Sequence, residues 1–211
     1  MILNELELLA RLTDPDPGRR VIITPIVNPR EQFGPTSVDI RLGTDFKVVD
    51  VANVAFLDPT AGPASDQAPL MRSYRVPPER AFILHPGEFA LAASMEFVRV
   101  PADISVRVEG RSSWGRLGLL IHATAGFVDP GFAGSITFEL HNVSRVPIAL
   151  YPGVRIAQLC FFGGNPTRLP YDQKTYTKYS GKTGAYESNY HLDPEYETIR
   201  RHRRVPGAEP R

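Results

Sequence analysis

The sequence predicts an all-β domain, a sandwich or jelly-roll-like β-barrel, with one short N-terminal helix. The chain has 211 residues, of which 42% are hydrophobic, so a single domain can bury a sizeable core. Its 20 Pro and 17 Gly are spread along the chain, which is typical of many short strands joined by tight turns. The longest run with dense strand patterning covers residues 110–162.

The N-terminal helix is predicted over residues 2–12. The apolar positions that share one helical face are Leu3, Leu6 and Ala10, with Leu9 close to them. Asn4 followed three places later by Glu7 has the pattern of a capping box. The Asp- and Pro-rich residues 14–18 end the helix.

Short apolar runs before the central stretch predict the first half of the sheet. The strand candidates are residues 21–25, 37–43, 46–49, 82–84, 89–93, 97–100 and 104–108. Val38, Ile40 and Leu42 point to one face, because side chains alternate along a strand. A turn at 85–87 predicts that 82–84 and 89–93 form a hairpin. Residues 28–36 are predicted as loop, and 58–78 as a long surface excursion that need not be ordered throughout.

In the central stretch, Ile136, Phe138 and Leu140 alternate with Thr137, Glu139 and His141. This alternation places Glu139 on the polar face of a strand. Strands at 148–150 and 154–162 follow, and Gln158 is predicted to share a face with Ile156 and Cys160. Cys160, the single cysteine, is interpreted as a buried structural thiol. The strand pattern then stops, and residues 163–191 are rich in Gly, Tyr, Lys and Ser.

Composition and motifs exclude several classes of function. The net charge of +1 gives no general argument for nucleic-acid or membrane binding. No apolar run approaches the ~20 residues of a spanning helix, and no basic segment precedes an apolar core at the N-terminus, so a cytoplasmic protein is expected. One cysteine cannot form the paired-cysteine motif of zinc deaminases. The five histidines lack metal-ligand spacing, and neither a phosphate loop nor a nucleophile elbow occurs.

The best candidate chemistry lies in a turn, Gly110 to Arg116, that follows a strand. Its hydroxyls (Ser112, Ser113), its guanidinium groups (Arg111, Arg116) and its backbone amides suit a polyphosphate. An ordinary surface turn would look similar, so this turn alone does not identify a phosphate site.

Four other features could have a chemical role but could also be ordinary structural residues. Asp129 begins a turn and is usually an Asx-turn residue. Glu139 is either a solvent-facing glutamate or a carboxylate fixed for acid–base work. Gln158 needs a backbone or ligand partner. Residues 178–184 offer cations and hydroxyls for a lid over phosphates.

At these residues the chain resembles the dCTP deaminase family of the dUTPase superfamily. The similar motifs are PTSVDIRLG at 35–43, HPGE at 85–88, GRSSWGRLGL at 110–119, HATAGFVDPGFAGSITFEL at 122–140, PGVRIAQLCF at 152–161 and KYSGKTGA at 178–185. They occur in the family's order and cover most of the chain. The resemblance implies a homotrimer of dUTPase-like β-barrels with active sites between subunits, and deamination without zinc.

The resemblance also implies a role for each matching residue. Glu139 would move protons as water attacks C4 of cytosine, and Ser112 and Arg116 would hold the water and phosphates. The turn from Arg111 through Ser113, Trp114 and Gly115 would bind the triphosphate, with Trp114 serving for packing. Asp129 would contact the 3′-hydroxyl. Thr137, Phe138, Tyr171, Lys178 and Lys182 would contact the nucleotide, and Mg²⁺ would arrive with the triphosphate.

The family has a branch that releases dUTP and a branch that also cleaves the triphosphate to dUMP. Gly115, Gly126 and Gln158 resemble the dUMP-forming branch. Lys182 stands where the family usually has a base-recognising glutamine, and lysine cannot accept a hydrogen bond. A monofunctional dCTP deaminase, a plain dUTPase and a non-catalytic trimeric nucleotide-binding regulator remain as alternatives. Feedback inhibition by dTTP is a family trait that the sequence leaves open.

The organisation expected from these patterns is one domain over residues 1–191. Residues 171–191 form its C-terminal lid, and residues 192–211 form a basic tail without fixed structure.

Overall fold

Antiparallel strands account for most of the ordered structure in the computed structural model, which describes residues 1–52 and 70–202. The described helices are α1 (Glu5–Leu12), α2 (Pro29–Gln32), α3 (Ser112–Gly115) and α4 (Tyr196–His202), with short 3₁₀ turns at Tyr171–Gln173 and Tyr190–Leu192. The described strands are β1 (Ile22–Thr24), β2 (Ser37–Val49), β3 (Met71–Arg75), β4 (Phe82–Leu84), β5 (Phe89–Arg99), β6 (Ile104–Gly110), β7 (Leu119–Ile121), β8 (Phe127–Val128), β9 (Ala133–Asn142), β10 (Ile148–Leu150) and β11 (Arg155–Gly163).

Most of these strands belong to one curled sheet. Its order is β7-β9-β5-β2-β11-β6-β8, with β1 added to β5 and β3 added to β2, while β4 and β10 form a separate pair. A Cβ atom built on Gly110, at the end of β6, would lie 3.5 Å from Cβ of Ile121 on β7. The two ends of the sheet therefore approach each other around the core. The predicted all-β, barrel-like fold with a short N-terminal helix is confirmed.

The core is built by the predicted alternation. Val38, Ile40 and Leu42 of β2 are fully buried, and Phe138 and Leu140 of β9 are buried with them. Burial of such apolar side chains stabilises the fold by about 25 cal/mol per Å² removed from water. Thr137, Glu139 and His141 of β9 alternate with these residues and face outward.

The alternation changes phase in β11. The pairing of β11 with β2 shifts register between Arg155 and Ala157, so Ile156 and Ala157 are both buried. Gln158 and Cys160 therefore face outward together, and the prediction that Gln158 shares a face with Ile156 is wrong. The prediction of a buried structural thiol is also wrong, since Cys160 is half-buried on the outer face. Partial burial still raises the pKa of the Cys160 thiol.

The N-terminal helix forms with the predicted capping box. Asn4 accepts a hydrogen bond from the Glu7 backbone, and the Glu7 carboxylate accepts one from the Asn4 backbone. The predicted buried face is wrong: Leu6 is 69% exposed and Leu9 43% exposed, whereas Leu8 is buried. The helix begins only at Glu5, so counting the apolar period from Leu3, which precedes the helix, gives the wrong face.

The predicted hairpin between residues 82–84 and 89–93 is also wrong. β4 pairs with β10, in the register Leu84 with Ile148. β5 is hydrogen-bonded by β2 and β9 along its two edges, so it has little free edge for β4. The separate strand predicted at residues 97–100 is also wrong, because β5 continues from Phe89 to Arg99 as one strand.

Three segments predicted without regular structure contain some. Residues 28–36 include α2, which has Pro at its first turn, where a missing N–H costs nothing. The excursion predicted at 58–78 contains β3, which pairs with β2; residues 53–69 lie outside the described residues. The basic tail predicted at 192–211 contains α4, and residues 203–211 lie outside the described residues.

A buried polar network fixes the segment before β2. The Glu96 side chain is fully buried; it accepts hydrogen bonds from the Arg41 backbone at 2.8 Å and from the Arg41 guanidinium at 3.2 Å. Gln32 donates to Glu96 at 3.2 Å and accepts from the backbone of Val27 and Asn28. Burial raises the pKa of Glu96, although the bonds from Arg41 oppose that shift. In the described part of the chain, no helix is long and apolar enough to cross a membrane.

Candidate active site

Glu139 stands on the outer face of β9, which lies between β7 and β5 in the sheet. It is half-buried and lies opposite Leu91 of β5. Its Oε2 accepts a hydrogen bond from the Thr124 hydroxyl at 3.2 Å. The strand holds this carboxylate on a rigid element, as the sequence predicts for a group that does acid–base work.

The loop after β7 wraps around Glu139. The backbone N–H of His122 donates to the Glu139 carbonyl at 3.1 Å, and His122 adopts a left-handed conformation with φ 63°. Its ring Nε2 lies 2.8 Å from the Ala125 carbonyl, so Nε2 carries the proton and donates. Nδ1 is buried, and no described residue bonds to it. A strained residue in contact with the carboxylate strand is typical of a functional loop.

The serine-containing turn forms the one-turn helix α3. Arg116 donates to Ser112 Oγ at 3.3 Å, so these two predicted site residues are in contact. Ser112, Ser113 and Arg116 are exposed, and a Cβ atom built on Gly115 would meet nothing within 4 Å. Hydroxyls and a guanidinium are thus presented to solvent in one short turn, which is an arrangement suited to an anion.

Arginines flank this turn on the strand side. Asp39 of β2 holds Arg111 at 3.2 Å and Arg155 at 3.4 Å. Partial burial raises the pKa of Asp39, while the charges of these arginines and of Arg41 lower it, and burial has the larger effect. The indole N–H of Trp114 donates to the Arg155 carbonyl at 2.9 Å, and the ring packs against the core. Trp114 therefore anchors the turn.

Asp129 follows β8 and meets the C-terminal segment of the same chain. Lys174 Nζ donates to Asp129 Oδ2 at 2.6 Å. The Tyr171 backbone N–H donates to the Pro130 carbonyl at 2.7 Å, and the Tyr171 and Phe132 ring centroids lie 6.0 Å apart. Gly131, with φ 87°, leaves the room for this contact, because an added Cβ atom would lie 2.6 Å from Pro170.

Farther along, the C-terminal segment runs beside β9. Lys182 forms a parallel bridge with Gly134, and its carbonyl accepts from the Ser135 N–H at 3.0 Å. The Tyr186 backbone donates to the Thr137 hydroxyl at 3.4 Å, two residues from Glu139. The Lys182 ammonium itself lies 4.9 Å from the Tyr186 ring centroid, so it faces an aromatic ring.

The structure thus joins the predicted residues into three groups within one chain. Thr137 and Glu139 share the outer face of β9, and the Lys182 backbone bonds to the same strand at Gly134 and Ser135. Tyr171 lies with Asp129, and Ser112 contacts Arg116. No hydrogen bond or ion pair among the described residues links Glu139 to the turn at 111–116.

Three predicted contact residues have other partners in this chain. Lys178 is paired with Asp193 at 2.6 Å. Gln158 accepts from the Ser37 hydroxyl at 3.2 Å. The Phe138 side chain is fully buried in the core, so only its backbone can meet a ligand.

Several residues in these groups were missed in the sequence. Thr124 lies two residues after His122 in the motif at 122–140, and its place in that motif could have indicated it as a site residue. Lys174 lies 45 residues from Asp129, and no local pattern connects them. Asp39 lies between the buried Val38 and Ile40, and the strand pattern carries no signal for its pairing with Arg111 and Arg155. The described residues contain no group of three or more His, Cys, Asp or Glu side chains arranged to hold a metal ion.

Comparison with known proteins identifies the family of the chain. A family model described as dCTP deaminase-like matches residues 2–164. A protein of Dictyoglomus turgidum named "dCTP deaminase, dUMP-forming" is 43% identical over 194 residues, covering 92% of this chain and 96% of that one. A protein of Methanobrevibacter smithii with the same name is 47% identical over 178 residues, covering 83% of this chain and 90% of that one.

A solved structure shows the same fold. The crystal structure of 2′-deoxycytidine 5′-triphosphate deaminase from Agrobacterium tumefaciens matches with a TM-score of 0.56 and 22% identity. The match covers 77% of this chain and 48% of the other, so the chain spans about half the length of that protein. The family model and the relatives, which match along most of the sequence, carry the assignment: the chain belongs to the dCTP deaminase-like family.

Proposed function

We propose that this protein deaminates dCTP and also cleaves the triphosphate, so that dCTP and two water molecules give dUMP, pyrophosphate and ammonia. The observation that carries the proposal is Glu139, a half-buried carboxylate on a rigid strand with a hydroxyl bonded to it. The names of the relatives at 43% and 47% identity support dUMP as the product.

In the deamination step, Glu139 acts as the general base. It takes one proton from the water that attacks C4 of cytosine and delivers it to N3 of the ring, and it then takes the proton of the new C4 hydroxyl and delivers it to the departing amino group. The C4–N bond then breaks, ammonia leaves, and the base becomes uracil. Proton transfer by a positioned carboxylate contributes about 10²–10⁴-fold to such a rate. The Thr124 hydroxyl fixes one carboxylate oxygen, so the other remains available for the water.

The turn at 111–116 is proposed to bind the triphosphate. Arg111 is held by Asp39, which orients its guanidinium, and Arg116 is exposed beside Ser112. Magnesium is proposed to enter with the nucleotide and to neutralise phosphate charge. Carboxylate and amide oxygens are of the type that Mg²⁺ prefers, but the Asp39 carboxylate is engaged by Arg111 and Arg155, and the Gln158 oxygen by Ser37. The described residues therefore fit an ion held by the phosphates and not by protein side chains.

A trimer with shared sites is proposed because each chain presents the parts of a site on separate surfaces. Glu139 and the turn at 111–116 have no direct contact within the chain. Leu120, His141 and Phe89 are cross-strand neighbours on β7, β9 and β5, and the two apolar side chains are 43% and 40% exposed. Exposed apolar side chains in one row are typical of an interface between subunits.

The C-terminal segment 171–191 is proposed to close over the nucleotide, as part of one domain at 1–191. In this proposal Thr137 meets the base and Asp129 the 3′-hydroxyl of the sugar, so docking of the segment beside these two residues supports its closing over the nucleotide. In this arrangement Lys182 contributes its backbone beside β9, and its ammonium is occupied by tyrosine rings. Phosphate contact by Lys178 requires it to leave Asp193. A cytoplasmic location and inhibition by dTTP complete the proposal.

The test is the product of turnover. The purified protein is incubated separately with dCTP and with dUTP in the presence of Mg²⁺, and dUTP, dUMP, pyrophosphate and ammonia are resolved. Ammonia and dUMP from dCTP are the expected result. Ammonia with dUTP indicates a monofunctional deaminase, and dUMP from dUTP alone indicates a dUTPase. Nucleotide binding without any product indicates a regulator and overturns the proposal.

A further inference from the structure

Lys174 and Asp129 form a close ion pair between the C-terminal segment and the turn after β8. The Lys174 ammonium lies 2.6 Å from Asp129 Oδ2, and the side chains are 41% and 48% exposed. An ion pair this exposed contributes little to stability by itself, on the order of 0.2–1 kcal/mol. The pair therefore matters mainly through its effect on the position and the charge of the Asp129 carboxylate.

The backbone around Lys174 places it on Asp129. Tyr171 is tied to Pro130 by a backbone bond of 2.7 Å. The Thr177 hydroxyl is within hydrogen-bond reach of the Tyr171 carbonyl at 2.7 Å and the Lys174 carbonyl at 2.8 Å, which closes the segment into a turn. The Lys174 ammonium also lies 5.5 Å from the Tyr171 ring centroid. These contacts hold the backbone of Lys174 beside Asp129, so the flexible lysine side chain needs little rearrangement to reach the carboxylate.

The pair leaves one carboxylate oxygen open. Lys174 is the side-chain hydrogen-bond partner of Asp129 within the described chain, and it engages Oδ2. Oδ1 therefore remains free to accept a hydrogen bond from a hydroxyl, while the bond to Oδ2 restricts rotation of the carboxylate.

The pair also changes the charge of the site. A nucleoside triphosphate is polyanionic, so an unpaired carboxylate near its sugar repels it. The Lys174 ammonium, at 2.6 Å, cancels the charge of the Asp129 carboxylate, so the pair has no net charge that would repel the phosphates. Asp129 can then offer an acceptor oxygen to the sugar without opposing the approach of the triphosphate.

We propose that Lys174 is a positioning residue that sets specificity for the 3′-hydroxyl of the nucleotide. It neutralises Asp129 and holds Oδ2, so that Oδ1 receives the hydroxyl. This inference rests on the proposed function, in which Asp129 faces the sugar.

The experiment compares dCTP with 2′,3′-dideoxycytidine triphosphate, which lacks the 3′-hydroxyl. The specificity constant kcat/KM is measured for both nucleotides with the unaltered protein and with Lys174→Met, Lys174→Arg and Asp129→Asn. Lys174→Met should lower kcat/KM for dCTP about fivefold, mainly through KM, and should lower it less for the dideoxy nucleotide, which is affected by the lost charge neutralisation but has no 3′-hydroxyl contact to lose. Lys174→Arg should restore most of the preference for dCTP.

Two controls separate this role from a structural one. Arg80→Met removes one positive charge from an exposed turn and should leave the preference unchanged. In the Asp129→Asn background, Lys174→Met should have no further effect on the preference, because the two residues act as a unit. An equal loss for both nucleotides, or no loss for either, overturns the role of Lys174.

Failure of the proposed function gives a different result. If the unaltered protein turns over neither nucleotide, the preference is measured instead as a ratio of dissociation constants, from the fluorescence of Trp114, the single tryptophan. A preference for dCTP that depends on Lys174 in binding then supports the inference although catalysis fails. A binding preference that Lys174→Met does not alter overturns the inference.

Discussion

The Thr124 hydroxyl donates a hydrogen bond to Oε2 of Glu139 at 3.2 Å. The threonine belongs to the loop after β7, whereas the glutamate belongs to β9, so the bond ties a loop to the sheet. The same loop is tied to Glu139 a second time, through the His122 N–H and the Glu139 carbonyl. The loop and the carboxylate are therefore positioned together.

Replacing Thr124 by valine is expected to lower kcat about tenfold and to leave nucleotide affinity unchanged. Valine keeps the shape but removes the donor, and a hydrogen bond to a charged group contributes about 1.5 kcal/mol. The measurements are steady-state deamination and nucleotide titration followed by Trp114 fluorescence. Thr124→Ser keeps the hydroxyl and should retain most of the activity. A valine variant within twofold of the unaltered protein would show that the bond has no catalytic effect.

Replacing Glu139 by glutamine is expected to reduce deamination of dCTP by about 10²–10⁴-fold or more. Glutamine keeps an oxygen that can accept from Thr124, but it cannot take a proton from water. Binding of dCTP should survive, and the change in Trp114 fluorescence measures it. Retained turnover in this variant would remove Glu139 from the role of general base.

Replacing Gly131 by alanine is expected to detach the C-terminal segment. The position has φ 87°, and the new Cβ atom would lie 2.6 Å from Pro170 and 2.8 Å from the Tyr171 nitrogen. Cleavage by a protease within residues 165–185 should become several-fold faster, and KM for dCTP should rise. Gly164→Ala is the matched control, because a Cβ atom there meets nothing within 4 Å. Equal cleavage rates in both variants would contradict the docking role of Gly131.

Replacing Asp103 by asparagine is expected to destabilise the protein in a pH-dependent way. Arg11 of α1 donates to both Asp103 oxygens, at 2.8 and 2.7 Å, and both side chains are mostly buried. This bond from Arg11 is the main cause that lowers the pKa of Asp103 below its ordinary value. A carboxylate whose pKa is lower in the folded state stabilises the fold above its unfolded pKa of about 3.9. That stability is lost as the pH falls toward the folded pKa.

The measurement is the free energy of unfolding in urea at equal protein concentrations and several pH values. Asp103→Asn should lower it by about 1–3 kcal/mol at pH 7. The difference from the unaltered protein should shrink between about pH 4 and pH 2. Glu79→Gln, which alters an exposed carboxylate, should show no such change. A constant difference down to pH 2 would mean that the effect comes from packing and not from the charge.

The strands were predictable from the sequence because their alternation is a local property. Val38, Ile40 and Leu42 are buried in the predicted phase, and Glu139 faces outward as predicted. Partner choice was not predictable in the same way. Whether β4 pairs with β5 or β10 depends on which edges are already occupied, and that is a property of the whole sheet.

The site was predictable only in part, for a related reason. Sequence motifs identify Ser112 and Glu139, because each lies in a distinctive local stretch. The register shift in β11, which turns Gln158 outward, involves one residue and leaves no periodic signal. The contact of Lys174 with Asp129 joins positions 45 residues apart and depends on how the C-terminal segment docks. Long-range contacts of this kind are settled by packing and not by local preference.

The pairing of β2 with β11 has a consequence for synthesis of the protein. β2 ends at Val49, but one of its edges is completed only by residues 155–163. A growing chain on the ribosome thus carries an unpaired β2 edge until most of its length has emerged. Closure of such a distant pair is slow, and an exposed strand edge attracts other chains meanwhile. A chain that stops before Arg155 would keep that edge permanently open, so premature termination should yield aggregates and no folded fragment.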